Sequence, residues 1–135
     1  MNAYQVYRQT QAQTAAPGEL VVMLYRGAVR FVAAGAEGIE QRDIQGAHNN
    51  LVRAQAVIAE LAETLDLERG GEIERNLLCV YEYLNRRLVE ANLRKEATPA
   101  REVEAYLREL LAAWEQAIRQ ASQPAAARQP VALAA

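Results

Sequence analysis

The residue types that build most catalytic and metal sites are nearly absent from this chain. Its 135 residues include one cysteine, Cys79, one histidine, His48, and one serine, Ser122. A single cysteine excludes an internal disulfide and fits a reducing compartment. One histidine cannot form the paired Glu-x-x-His motifs of di-iron bundles, and Ser122 lies in a segment predicted to be a tail, which does not position a catalytic triad. We therefore expect no enzyme, no metal and no cofactor.

Charge of one sign and long apolar runs are also lacking. The net charge is −2, which gives no electrostatic reason to expect nucleic acid or an anionic membrane as partner. The longest apolar run, LVVMLY, ends at Arg26 and is far too short to span a bilayer. The first residues, MNAYQVYRQTQ, are polar and do not resemble a secretion signal. These features predict a cytoplasmic protein that does not insert into membranes.

Proline, glycine and aromatic residues are few, whereas 51% of the residues are hydrophobic. This composition and the length predict one all-α domain. Breakers separate four amphipathic segments. The first begins at Pro17, the second has Asp43 as its N-cap, and the fourth has Thr98 as cap with Pro99 at its first helical position. The predicted helices cover residues 17–41, 44–65, 72–95 and 98–121.

Apolar residues recur at bundle spacing in these segments. The second has the clearest seam, at Ile44, Ala47, Leu51, Ala54, Ile58, Leu61 and Leu65. Three glycines in the first segment lower its helix propensity and predict a thin face that lets another helix approach closely; these are Gly27, Gly35 and Gly38. Cys79 is predicted on a buried face, where cysteine acts as a small hydrophobe. Pairs in acid-first i, i+4 order mark solvated faces: Glu82–Arg86, Glu90–Arg94, Glu104–Arg108 and Glu115–Arg119.

Short loops between long helices predict an antiparallel up-down-up-down four-helix bundle over residues 17–121. We expect residues 1–16 to form an N-terminal cap segment and residues 122–135 to be a disordered tail. The helices carry more apolar residues than a bundle core needs. This surplus indicates either a wide core or a groove for an amphipathic partner helix, and periodicity does not choose between them.

Residues 14–31, TAAPGELVVMLYRGAVRF, resemble the opening of the FliS family of flagellin-specific export chaperones. That opening has a T-A-S-P-x-x-L pattern followed by M-L-Y-x-G-A. The central block NLVRAQAVIAELAETLDLERGGEIERNLLCVYEYLNRRLVEAN is also similar, and Trp114 with Ile118 matches a late W-x-x-A/E-I. Two positions depart from the family: Ala16 replaces the usual serine before the proline, and Arg26 replaces a residue that is often acidic.

The resemblance implies a cytoplasmic chaperone that binds the C-terminal segment of flagellin and keeps it ready for type III export. Export gate components are further possible partners, and we expect a monomer or weak homodimer. The residues predicted to bind flagellin are Tyr4, Tyr7, Leu20, Leu24, Tyr25, Val52 and Val57. The alternatives are a structural or dimerising bundle and a regulatory adaptor of the flagellar pathway.

The segment 1–16 contains two tyrosines in a polar, Gln-rich stretch. We predict that it folds back as a cap, with Tyr4 or Tyr7 on the apolar end of the bundle near Leu20, Leu24 and Tyr25. The alternative is a frayed terminus. A cap could compete with flagellin or clamp it, and competition is the preferred interpretation.

Overall fold

The computed structural model describes residues 17–123, and these form four helices joined by short connections. They are α1 (Pro17–Glu40), α2 (Ile44–Glu63), α3 (Glu72–Arg94) and α4 (Ala97–Ala121). The predicted four-helix bundle is confirmed. Residues 1–16, which are predicted to form the cap segment and include the family departure at Ala16, lie outside the described residues. Residues 124–135 of the predicted tail also lie outside them.

The order of the helices around the bundle follows from which of them touch. α1 packs on α2 and α4, and α3 packs on the same two helices from the opposite corner. Arg26 in α1 pairs with Glu115 in α4, and Glu40 pairs with Arg101, so α1 and α4 run antiparallel. Helices α1 and α3 therefore lie across the diagonal of the bundle.

The connection between α1 and α2 is a tight turn, and the sequence predicts its capping residue. The Asp43 carboxylate accepts a hydrogen bond from the backbone N–H of Gly46 at 3.0 Å, which confirms Asp43 as the N-cap of α2. Arg42, just before it, adopts a positive φ of 60°. The chain reverses within three residues, and α1 and α2 become antiparallel neighbours.

Two of the three glycines in α1 lie where α2 approaches most closely. A Cβ on Gly38 would lie 2.9 Å from the backbone nitrogen of Ala47, and one on Gly35 would lie 2.6 Å from a Leu51 methyl group. A Cβ on Gly27 would meet only the Arg30 guanidinium, at 3.9 Å. The predicted thin face is therefore confirmed at Gly35 and Gly38 but not at Gly27.

The core is formed by the middle of each predicted seam. The α2 seam is buried from Ala47 to Leu61, whereas its first residue, Ile44, is 53% exposed. Ile73, at the start of the corresponding apolar spacing in α3, is likewise exposed. The first residues of these two seams therefore lie outside the core. The largest fully buried side chains are Tyr25, Leu51, Ile58, Leu61, Leu84, Leu88, Leu107, Leu110, Val32, Val57 and Val103.

Three local predictions were wrong. The fourth helix begins at Ala97 after Glu96, so Thr98 is inside the helix and is not its cap, and Pro99 is the third helical residue instead of the first. The missing N–H of Pro99 still has no helical acceptor at that position. Cys79 is exposed because Leu77 and Tyr81, on either side of it, face the core. Of the four predicted i, i+4 pairs, Glu90–Arg94 and Glu104–Arg108 form ion pairs, whereas Glu115 pairs across the bundle with Arg26 at 2.7 Å.

Candidate functional site

Helices α2 and α3 are aligned by two polar contacts. The Asn85 side-chain amide donates to the backbone carbonyl of Gln55 at 3.4 Å, and the Asn92 amide bonds to the His48 ring at 3.0 Å. These two contacts set one antiparallel register, in which Val52 of α2 lies level with Leu88 and Val89 of α3.

Large apolar side chains remain exposed along the outside of this helix pair. Val52 lies four residues after His48 in α2. In α3, Val89 lies four residues after Asn85, and Leu93 lies four residues after Val89. All three apolar residues therefore share the side of the helices that carries the polar contacts. Val52 is 44% exposed, Val89 41% and Leu93 81%. We call this surface, together with Ile44 at its end, the α2–α3 face.

The α2–α3 face includes a shallow groove along α3. The groove has a volume of about 720 Å³, and Val89 and Leu93 line it between the charged side chains of Arg86 and Arg94. Glu82 and Glu90 lie on the same lining, so charges of both signs border the apolar centre. An apolar centre with a charged rim is the composition expected of a protein-binding surface.

The predicted flagellin-binding residues fall into three environments. Val52 is exposed on the α2–α3 face, and Leu20 is half-buried near the start of α1. Leu24, Tyr25 and Val57 belong to the core, with exposures of 6%, 0% and 2%. Tyr4 and Tyr7 lie outside the described residues. The structure therefore does not gather these residues on one surface, and their role in binding stays a prediction.

A buried tyrosine pair joins the two diagonal helices and was missed from the sequence. The hydroxyl groups of Tyr25 in α1 and Tyr81 in α3 are 2.6 Å apart, and the ring centroids are separated by 6.3 Å. Burial raises the pKa of both phenols above the usual range for tyrosine, so both stay protonated. One hydroxyl donates and the other accepts. The signal that could have revealed the pair was a tyrosine at a core position in each helix.

A second polar cluster ties α3 to α4 at the surface. The Arg87 guanidinium donates to Glu102 at 2.8 Å and to Glu90 at 2.6 Å, and the Tyr83 hydroxyl also donates to Glu102. The hydrogen bonds from Tyr83 and Arg87 lower the pKa of the Glu102 carboxyl. Glu102 thus holds α3 against α4 when it is ionised.

Neither a metal cluster nor a membrane-spanning helix is found in residues 17–123. No three His, Cys, Asp or Glu side chains in that range are grouped closely enough to hold an ion. None of the four helices is long and apolar enough to cross a membrane.

The fold and the α2–α3 face together define an all-α bundle with an apolar outer surface bordered by charge. Comparison with known families then identifies it: the chain belongs to the FliS family, because the family model described as "Flagellar protein FliS" matches residues 1–121. The resemblance found in the sequence is confirmed.

The similarity to curated relatives extends over most of the length of both chains. The chain is 40% identical to the flagellar secretion chaperone FliS of Bacillus subtilis (strain 168) over 118 residues, which cover 87% of each chain. It is 37% identical to the protein of the same name in Salmonella typhimurium, over 87% of this chain and 88% of the relative. It is also 37% identical to the FliS of Campylobacter jejuni, over 83% and 88%.

Proposed function

We propose that this protein is a cytoplasmic export chaperone that binds the C-terminal segment of flagellin, prevents its premature polymerisation and delivers it to the flagellar type III export apparatus. The observation that carries the proposal is the identity of 40%, over 87% of both chains, to a relative named as a flagellar secretion chaperone. A role as a flagellar secretion chaperone follows from membership of that family. The proposal adds flagellin as the client and its delivery to the export apparatus.

The α2–α3 face supports a holding role. A filament-forming segment is apolar at helical spacing and would associate with copies of itself if it were free. Val52, Val89 and Leu93 offer apolar surface that such a segment could cover as a helix. Burial of apolar area drives this kind of binding, and the cost of ordering a flexible segment offsets part of the gain. Such a mechanism requires no nucleotide.

Size-exclusion chromatography tests whether the C-terminal segment of flagellin is the client. Flagellin with its C-terminal segment should co-elute with the chaperone, and flagellin without that segment should elute separately. A chaperone that elutes alone as a stable homodimer and ignores both flagellins would favour the structural bundle instead.

Two matched variants test the α2–α3 face. Leu93→Gln removes the most exposed large apolar side chain of the face, and Leu67→Gln makes the same change in the connection before α3, where Leu67 is 46% exposed. Neither side chain is part of the core, so both variants should fold. We expect Leu93→Gln to weaken flagellin binding by at least about tenfold, because burial of a leucine side chain contributes about 1.5–3 kcal/mol. Leu67→Gln should leave binding unchanged, and equal binding by both variants would exclude the α2–α3 face.

A further inference from the structure

The outer side of α3 carries a row of charged residues whose sign alternates. The row lines the groove beside the exposed apolar side chains of the α2–α3 face, and its members are Glu82, Arg86, Glu90 and Arg94. Residues spaced by four form one ridge along the surface of a helix. We call this ridge the α3 row. Any helix that packs on the exposed apolar residues of α3 therefore also meets the α3 row.

Only the second half of the α3 row is paired within its own chain. Glu90 forms ion pairs with Arg87 at 2.6 Å and with Arg94 at 3.8 Å. Glu82 and Arg86 stand in the same acid-first order, yet within residues 17–123 neither of them forms an ion pair. The first two charges of the row are therefore not used to stabilise the helix and are exposed to a partner.

The order of charges in the α3 row is complementary to itself. If a second α3 runs antiparallel to the first and crosses it at the level of Leu88, Arg86 comes level with Glu90 of the other copy. Glu82 comes level with Arg94 in the same arrangement, and two-fold symmetry repeats both pairs. A crossing at the level of Arg86 or of Glu90 would oppose like charges instead. The charge order therefore favours one partner, a second copy of this chain, in one register.

The same crossing covers apolar surface that is exposed in the single chain. Val89 lies one residue from the centre, so the Val89 side chains of the two copies come close together, and Leu93 extends the contact on both sides. Val89 is 41% exposed and Leu93 81%. Ridges at this spacing pack together when two helices cross at about −50°, the commonest packing class. Burial of the apolar side chains drives the association, and the charge pairs fix its direction and register.

We propose that two copies of this protein associate through their α3 rows, antiparallel and centred at the level of Leu88, and that this homodimer covers the exposed side of α3 while no client is bound. One helix from each copy forms a small interface, below about 1,200 Å², which is typical of weak and transient complexes. The dimer therefore dissociates readily. That flagellin displaces the second copy rests on the proposed function, whereas the self-association does not.

Complementary charge reversals, followed by sedimentation equilibrium up to about 1 mM protein, test the α3 row. Arg86→Glu and Glu90→Arg each oppose like charges twice in a homodimer, so each variant alone should associate at least about tenfold more weakly than the unmodified protein. A mixture of the two variants opposes only unlike charges and should form a heterodimer. Arg119→Glu makes the same charge change on an exposed residue near the end of α4 and should leave association unchanged.

Three results would each overturn the proposal: an unmodified protein that stays monomeric, reversal variants that associate as Arg119→Glu does, or a mixture of folded variants that stays monomeric. Circular dichroism shows that the variants are folded. A peptide of the flagellin C-terminal segment then separates this proposal from the proposed function, because it should convert the homodimer into a one-to-one complex. Peptide bound to an intact homodimer would refute the displacement. No peptide binding would refute the proposed function, and the charge reversals would still decide the self-association.

Discussion

Replacement of Gly38 by alanine should destabilise the bundle because α2 approaches α1 there through its backbone. The added Cβ would lie 2.9 Å from the Ala47 nitrogen and 3.1 Å from its Cα, and neither atom can rotate away. Overpacking of this kind costs about 1–3 kcal/mol, and we expect the upper part of that range because a whole helix must shift. The gain in helix propensity offsets less than about 1 kcal/mol so near the end of α1. The expected net loss is about 2 kcal/mol.

Gly27→Ala is the matched control in the same helix. Its Cβ would meet only the Arg30 guanidinium at 3.9 Å, an ordinary contact. Alanine in the helix interior should then stabilise the protein by about 1 kcal/mol. Denaturation by urea, followed by circular dichroism, measures both variants. The reasoning fails if Gly38→Ala is as stable as the unmodified protein, or if the two substitutions change stability in the same direction.

Three further predictions concern the buried tyrosines, Glu102 and residues 1–16. Tyr25→Phe should cost about 1–2 kcal/mol because it leaves the Tyr81 hydroxyl without its partner, and the double phenylalanine variant should cost less than the sum of the single changes, as a double-mutant cycle in urea would show. The lowered pKa of Glu102 means that its stabilising effect is present above the unfolded pKa of about 4.5 and is lost as pH falls through the lower folded pKa; the stability deficit of Glu102→Gln should therefore be constant near neutral pH and shrink as the pH falls below about 4.5. A truncated chain that starts at Pro17 should stay folded and bind flagellin more tightly if residues 1–16 compete for the site; unchanged affinity and off-rate would show that they take no part.

Features encoded by local spacing were predictable from the sequence. The α2 seam from Ala47 to Leu61, the Asp43 cap and the start of α1 at Pro17 each depend on residues within a few positions of one another. The close approach at Gly35 and Gly38 was also predictable in kind, because glycine in a helix is costly unless a neighbour uses the space.

Features that depend on the rotation of one helix against another were not predictable. Cys79 has apolar neighbours in sequence, yet a rotation of about 200° from Leu77 places it outward. The Tyr25–Tyr81 bond requires knowledge of which helices face across the diagonal. Glu115 had two basic partners within reach, and only the packing of α1 on α4 selects Arg26. For the same reason the sequence did not show that Leu24 and Tyr25, two of the predicted binding residues, are core residues whereas Val52 is exposed.

Calorimetric titration of the chaperone with flagellin tests the central claim most directly. Full-length flagellin, or a peptide of its C-terminal segment, should bind one to one with a negative heat-capacity change across several temperatures, and the peptide should gain helix on binding. Flagellin that lacks the segment should give no binding heat. Equal titration signals from the full-length and truncated flagellins would contradict the account.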